Sequence, residues 1–319
     1  MSKKDKNNES CAFRTSIGGQ ALIEGIMMRG PKKQANVVRK QDGELETKIS
    51  DIKLVKDKHP ILGWPIIRGT VNFLSSMVTG VKALMYSAEF FPEEEISEPS
   101  KLDMWLEKHL SSEKAEKAII YISVVLGCLL SVGLFILLPT ILAGWVTKLI
   151  PMPWVGNILE GVFRIVLFIG YMWLCTKVKD IKRIWMYHGA EHKTINCYEQ
   201  GLELTVENVR NQTTRHPRCG TSFMFLVMIV SILVFSVVSW NNVFIRMLLR
   251  IVMLPIVVGI SYELIKIAGR YDNWLTKIIS APGKALQGLT TAEPDDSMIE
   301  VAIEAMKLVI PEEKGSDKW

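Results

Sequence analysis

The stretch "YHGAEHKTINCYE", Tyr187 to Glu199, gathers two histidines, two glutamates and a cysteine, in a chain with only five histidines and five cysteines. Its core, "HGAEH", has the form H-x-x-E-H. On a helix, His188 and His192 lie one turn apart on one face, and Glu191 projects beside them. Two imidazoles so placed can hold one zinc ion. A neighbouring carboxylate can then act as general base on a water whose pKa the metal lowers to about 7. The same order of residues defines the inverted zinc-peptidase motif.

Zinc needs at least a third protein ligand. Downstream, "TTRHPRCGTSF" offers His216 and Cys219, two good ligands separated by two residues. Inverted zinc peptidases take a distant glutamate instead, and Glu263 is the candidate for that role. Geometry weighs against it. A helix running straight on from Thr176 would carry His188 about 18 Å further along its axis, while Glu263 falls near a membrane interface. The expected metal ligands are therefore His188, His192, His216 and Cys219, with Glu191 as base and Zn2+ as the ion. Two readings stand beside this one. The histidines could be held by hydrogen bonds in a polar interface, and Arg183, Lys193, Arg215 and Arg218 could form a basic phosphate-binding patch.

The elements that must position these residues are mostly apolar. No charged residue occurs between Lys117 and Lys148, or between Arg218 and Arg246. Each block exceeds the roughly 20 residues that cross a bilayer. Two more runs qualify despite charges. "NILEGVFRIVLFIGYMWLCT" (157–176) carries Glu160 and Arg164 at i,i+4 spacing, where they can pair. "VFIRMLLRIVMLPIVVGISYELI" (243–265) carries Arg246, Arg250 and Glu263 near its ends. The fold class expected is a mainly α integral membrane protein with four transmembrane helices in two hairpins, 118–176 and 223–265.

Lys177, Lys179, Lys182, Arg183, Lys193, Arg210, Arg215 and Arg218 crowd the segment between the second and third spans. The loop between the first two has only Lys148. The positive-inside rule places the central loop and both termini in the cytoplasm of a multi-pass cell-membrane protein. The opening "MSKKDKNNES" leads into no apolar stretch, so no cleavable signal peptide is expected. Cys11, Cys197 and Cys219 fall on the reducing side, and Cys128 and Cys175 fall within spans. A disulfide framework is thus excluded.

Around the spans the chain divides as follows. Residues 1–15 read as a disordered polar tail. Residues 16–58 read as a small β-rich cytosolic unit, with glycine-punctuated turns around a strand "ALIEGIMM" and a hairpin at Asp42-Gly43. Within it, Glu24 interrupts an apolar run and needs a partner, which Arg29 or an arginine of the central loop could supply. Residues 60–91 form an amphipathic helix, with Ile67, Val71, Leu74, Val78, Val81 and Met85 on one face. It is too short between Arg68 and Lys82 to span, so it lies on the membrane surface or against other helices. An acidic linker and helix follow at 92–116, and the histidine–cysteine segment occupies 177–222. In the cytosolic region 266–319, "PDDSMIEVAIEAMKLVIP" reads as an amphipathic helix capped by Asp295 or Asp296. Nothing in "GGQALIEGIMMRGP" matches a phosphate-binding loop, and no nucleic-acid partner is expected.

The set "GGQALIEGIMMRGP", "YHGAEHKTINCYE", "HPRCGTSF" and "APGKALQGLTTAEPDD" resembles the bacterial YqhQ family over roughly Ser16 to Pro311. That family comprises membrane proteins of unknown function that carry the label of predicted metal-dependent enzymes. By position, the resemblance marks Gly18, Gly19, Gln20, Glu24, Arg29, Gly30, His188, Glu191, His192, His216, Arg218 and Cys219. Two functions are compatible with all of this. One is a membrane-embedded zinc hydrolase acting at the cytosolic surface. The other is a non-catalytic adaptor whose metal clamps the central loop and exposes a basic face to a protein partner or anionic lipid. Four ligands would close the site, so the hydrolase needs one of them to stand aside.

Overall fold

The computed structural model describes residues 13–52, 59–91, 112–147, 153–237, 243–271, 273–313 and 315–318. The chain divides into two compact units. One comprises Met1–Phe91, Tyr171–Ser231 and Met253–Trp319; the other comprises Pro92–Gly170 and Ile232–Val252.

The first unit contains a four-stranded antiparallel meander, β1 (Gly18–Leu22), β2 (Gly25–Arg29), β3 (Lys33–Arg39) and β4 (Leu45–Asp51), in sequential order. "ALIEGIMM" is two strands rather than one. Leu22 pairs with Gly25, so the chain reverses at Ile23-Glu24, where Glu24 takes φ 48°. The apolar run hides this turn because β2 is buried on both faces. Ile26 and Met28 join one core, while Met27 meets Leu22 and Ala83 in another. The second hairpin turns where expected, with Arg39 opposite Leu45 and Gly43 at φ 87°, a conformation that costs glycine little.

Helix α1 (Ile67–Ala88) follows a 3-10 turn at Pro60–Gly63. It packs through a stripe of small residues, Gly69, Gly80, Ala83 and Ser87, while Ile67, Leu74, Val78, Val81 and Met85 of the expected apolar face are exposed. Near its start Arg68 forks onto Glu263 at 2.7 and 2.5 Å, and Thr70 Oγ1 donates to the Pro255 carbonyl at 2.6 Å. A side chain at Gly69 would come within 2.9 Å of the Gly259 Cα, so the two glycines permit close helix crossing. At its other end Ser87 Oγ accepts the Ile23 N–H at 3.3 Å.

Next come α2 (Ser112–Val132), a π-helical turn (Gly133–Leu137), α3 (Leu138–Thr147) and α4 (Pro153–Cys175). They are followed by α5 (Lys179–Glu199), α6 (Val206–Arg210), α7 (Gly220–Val237) and α8 (Val243–Arg270). Among the described residues, three helical stretches are long and apolar enough to cross a membrane: Tyr121–Thr147, Val155–Cys175 and Phe244–Arg270. Gly220–Ser236, expected as another span, is apolar but shorter. The "SWNN" loop after it lies outside the described residues, as do residues 1–12 of the tail and 92–111 of the acidic linker. The histidine motif is not a straight continuation of α4, the helix expected as the second span. The chain breaks at Thr176–Val178, where Val178 is extended at φ −85°, ψ 123°.

Two helices complete the first unit. α10 (Asp296–Lys307) is the expected amphipathic helix, with Asp295 accepting the Met298 N–H at 3.0 Å. Its Met298, Ile299, Ala302 and Met306 bury fully against Ile26, Met28 and Val37 of the sheet and Tyr187 and Ala190 of α5. α9 (Trp274–Thr290) has no counterpart in the sequence reading, because Pro282 and Gly283 interrupt its pattern. An Asn273/Thr276 capping box starts it. Nor are residues 13–15 a free tail. Thr15 is fully buried, its N–H on Glu199 at 2.8 Å and its hydroxyl on Asp317 at 2.7 Å.

Candidate metal centre

Helix α5 carries His188, Glu191 and His192 inward. Cys219 stands just before α7, and one ligand atom each from His188, His192 and Cys219 lie within 4.8 Å of one another. The periodicity of α5 puts the two rings on one face, with centroids 4.3 Å apart. Each ring is fixed from behind by a backbone carbonyl: His188 Nδ1 donates to Thr290 O at 2.8 Å and His192 Nδ1 to Thr214 O at 2.6 Å. Both contacts place the proton on Nδ1 and leave the Nε2 lone pair for the site. This arrangement orients metal-ligating histidines generally.

Glycines make these approaches feasible. A Cβ at Gly189 would sit 2.0 Å from the Ala292 carbonyl oxygen, so only glycine lets the strand-like segment after α9 lie across α5 and present Thr290. A Cβ at Gly19 would meet Met27 O at 2.6 Å and the Glu191 carboxyl carbon at 3.0 Å. The bare Gly19 N–H instead donates to Glu191 Oε1 at 3.0 Å, tying the N-terminal motif to the histidine helix.

Glu191 Oε2 and His192 Nε2 are among the buried atoms that have no partner of hydrogen-bonding geometry within the described residues. Burial raises the Glu191 carboxyl above its usual range, against the pull of His188 and His192. Burial would also push the Cys219 thiol up, but the imidazoles of His188 and His192 outweigh it and hold the thiol well below its ordinary value. His188 Nε2 lies 3.1 Å from Cys219 Sγ. Desolvation opposes protonation of His188, yet the adjacent sulfur raises it to about 9. A proton shared between an imidazole and a low-pKa thiol is the one a soft divalent metal displaces on binding. Donor types, anchored tautomers and orphaned buried atoms together fit a zinc-class ion.

His216 stands outside this trio. Its ring centroid is 5.7 Å from that of His192, and its Nε2 lies 3.5 Å from Glu199 Oε2. Burial drives its pKa down to about 4, against the pull of Glu199. Glu199 also accepts from Arg218 and from the Thr15 N–H, and Arg218 lies 3.3 Å from the His216 ring nitrogen. Gln287 clamps the His216 backbone on both sides, accepting its N–H at 2.8 Å and donating to its carbonyl at 2.7 Å.

The remaining marked residues serve other contacts. Glu24 pairs with Arg183, an arginine of the central loop, and accepts the Tyr187 hydroxyl at 3.2 Å. Gln20 packs its amide against Gly80 of α1, and Arg29 ends β2 half-buried opposite Gly18. Gly30 abuts the Val309 carbonyl, and Glu263 is held by Arg68. The phosphate-patch reading loses ground here: Arg183, Lys193 and Arg218 each face an acid, Lys193 through Glu293 at 2.8 Å. Thr214 and Thr290, whose carbonyls orient the rings, and Glu199, the partner of His216, were not singled out by sequence. Thr290 lies in the "APGKALQGLTTAEPDD" motif, Thr214 in "TTRHPRCGTSF" and Glu199 at the end of "YHGAEHKTINCYE", so the quoted stretches contained all three without marking their roles.

A profile for the family described as "Protein of unknown function (DUF1385)" matches residues 64–312. The chain is 34% identical over 312 residues to "Uncharacterized protein YqhQ" of Bacillus subtilis (strain 168), covering 95% of each chain. The chain belongs to this family. No solved structure matches it. Family membership agrees with the resemblance carried by the four motifs, and all but the first of those motifs fall inside the matched span.

Proposed function

We propose that the protein is a membrane-embedded, zinc-dependent hydrolase whose site opens toward the cytosolic membrane surface. The observation that carries this reading is the ligand trio of His188, His192 and Cys219, with the free Glu191 oxygen beside it. With His216 turned to Glu199, three protein ligands remain. Catalytic zinc sites have three protein ligands and keep one position for water or substrate, whereas structural sites are closed by four. A zinc ion held there would supply Lewis acidity and a water that ionises near neutral pH.

The chain's own residues would do the rest. Glu191 Oε2 is the group that accepts the proton of the attacking water and returns it to the leaving group. Gly19 N–H holds the other oxygen of that carboxylate, so the free one keeps its direction. Thr214 and Thr290 keep both imidazoles in the Nδ1–H form. The three long apolar helices, with the shorter apolar helix Gly220–Ser236 taken as a fourth crossing, and the basic stretch between Lys177 and Arg218 favour a multi-pass protein with both termini cytoplasmic. Reporter fusions at Asn241 and after Lys318 test that arrangement, and must report opposite sides of the membrane.

A second reading, a metal-clamped adaptor, draws support from burial: Glu191 and His192 are 4% and 1% exposed, and Cys219 7%. Glu191→Gln separates the two. It removes the base but keeps the Gly19 contact and the volume. The hydrolase reading expects full metal content by elemental analysis and no complementation of a deletion strain. Full complementation by Glu191→Gln, with none by His188→Ala, would make the metal structural.

A further inference from the structure

The second unit contains a group of charges unrelated to the metal centre. Glu160 accepts from Arg164 at 2.9 Å and from Arg250, and all three are at most 6% exposed. Arg164 Nε also donates to the Phe135 carbonyl, in the π-helical turn, at 2.9 Å. Such turns often mark functional positions in helices. Arg250 donates to Thr140 Oγ1, and both guanidiniums lie over the Phe235 ring, 5.7 and 5.6 Å from its centroid.

The charges do not balance. Two arginines share one carboxylate, and Arg246 lies one turn before Arg250. From Ala118 to Val178 Glu160 is the sole acidic residue in the sequence, and from Cys219 to Tyr262 there is none. The acidic stretch that ends at Glu116 precedes Thr140 by about 35 Å of continuous helix. Arginine cannot relieve the imbalance by losing its proton. Carbonyl and hydroxyl partners supply dipoles but no net charge, and an uncompensated buried cation is costly. Moreover, the Nε atoms of Arg250 and Arg246 are buried without a hydrogen-bond partner among the described residues. Glu160, Arg164, Phe235 and Arg250 wall a cavity of about 10 Å³, with Asn157, Ile232 and Ser236 at its sides. That volume suits one water-sized body rather than a phosphate group.

We propose that Arg164, Arg250 and Glu160, with Phe235 and the π-helical turn, form a binding site for one small monovalent anion of halide size. The anion supplies the missing negative charge and holds the two arginine-bearing helices together. Glu160 tempers the site, so that one net charge rather than two is compensated at the shared carboxylate.

The test uses the full-length protein, purified in neutral detergent with gluconate as the sole anion. Chloride replaces gluconate at constant ionic strength, and the thermal midpoint and the chloride-35 NMR line width are followed. A saturable rise in the midpoint is expected, with line broadening that bromide relieves by competition. Arg250→Lys, which keeps the charge but removes Nε and the fork, should weaken the effect at least tenfold. Arg210→Gln, which breaks an exposed pair with Asp296, should leave it unchanged. A wild-type protein whose midpoint and line width respond equally to chloride and gluconate overturns the proposal. So does stabilisation by phosphatidylglycerol nanodiscs with no halide effect, which would assign the negative charge to a lipid headgroup. Neither outcome depends on the zinc content of the protein.

Discussion

Helix α5 ends in a cluster that resembles the candidate metal centre in residue type and differs from it in every bond. His188, Glu191 and His192 occupy the middle of the helix, while Glu199 at its last position meets His216 and Arg218. Both groups are buried, and both combine imidazole with carboxylate. In the second, the carboxylate accepts from an arginine and a backbone amide, and the histidine backbone is bracketed by Gln287. In the first, a carboxylate oxygen and an imidazole nitrogen are buried without a hydrogen-bond partner among the described residues. The comparison teaches that residue type and burial do not distinguish a site from a strut. What distinguishes them is whether the lone pairs are already used.

The largest effect expected from breaking this comparison is all-or-none. His188→Ala, His192→Ala or Cys219→Ala should reduce a stoichiometric metal to background in elemental analysis, whereas His216→Ala should keep it. Loss of metal in a folded His216→Ala protein would return His216 to the ligand set.

Next in size is Arg218→Met. It leaves Glu199 buried beside a neutral histidine, and removing one partner of a buried pair costs about 3–5 kcal/mol. Denaturant unfolding should register that loss while metal stoichiometry in the folded fraction stays at the wild-type level. A change below about 1 kcal/mol would show that Thr15 and His216 suffice for Glu199.

The pH dependence sharpens the contrast further. His216 is neutral in the folded protein down to about 4, whereas an unfolded histidine takes a proton near 6.5. The unfolded chain therefore binds more protons as pH falls, and stability must drop between about 6.5 and 4. Glu199 adds in the same direction: burial opposes its charge, but His216 and Arg218 outweigh that and hold its carboxyl below the usual range. Between pH 7 and 5 the His216 contribution alone is on the order of 2 kcal/mol. Unfolding free energies of wild type and His216→Gln, measured across that window, should diverge at high pH and converge toward pH 5. Parallel curves would mean that His216 does not titrate between these limits.

The smallest effect provides the control. Asp295→Ala removes the α10 N-cap and should cost about 1 kcal/mol, with metal content and pH profile unmoved. A loss of metal in this variant would show that general destabilisation, rather than ligand removal, empties the centre.

Local pattern made much of this molecule legible. The H-x-x-E-H spacing determined that His188 and His192 share a face, since a helix of 3.6 residues per turn admits no other outcome. A charge-free run marked Tyr121–Thr147, apolar runs carrying a few charges marked two more helices of membrane-crossing length, and Asp295 marked the start of α10. Asp42-Gly43 marked a hairpin. Each of these follows from a period, a cap or a turn residue, all of which act within a few positions.

Where distant segments meet was decided only in three dimensions. Sequence placed His216 and Cys219 equally well as ligands, three residues apart. Tertiary packing took Cys219 to the histidines and His216 to Glu199, because Gln287 on α9 holds the His216 backbone. It also folded residues 13–15 onto α5 through Glu199 and Asp317, and it gave Glu24 to Arg183 rather than Arg29. It broke the chain at Val178 between α4 and the histidine helix. The choice between two ligands of similar chemistry rests on contacts from segments remote in sequence. No local spacing encodes such contacts, so only the folded chain could make that choice.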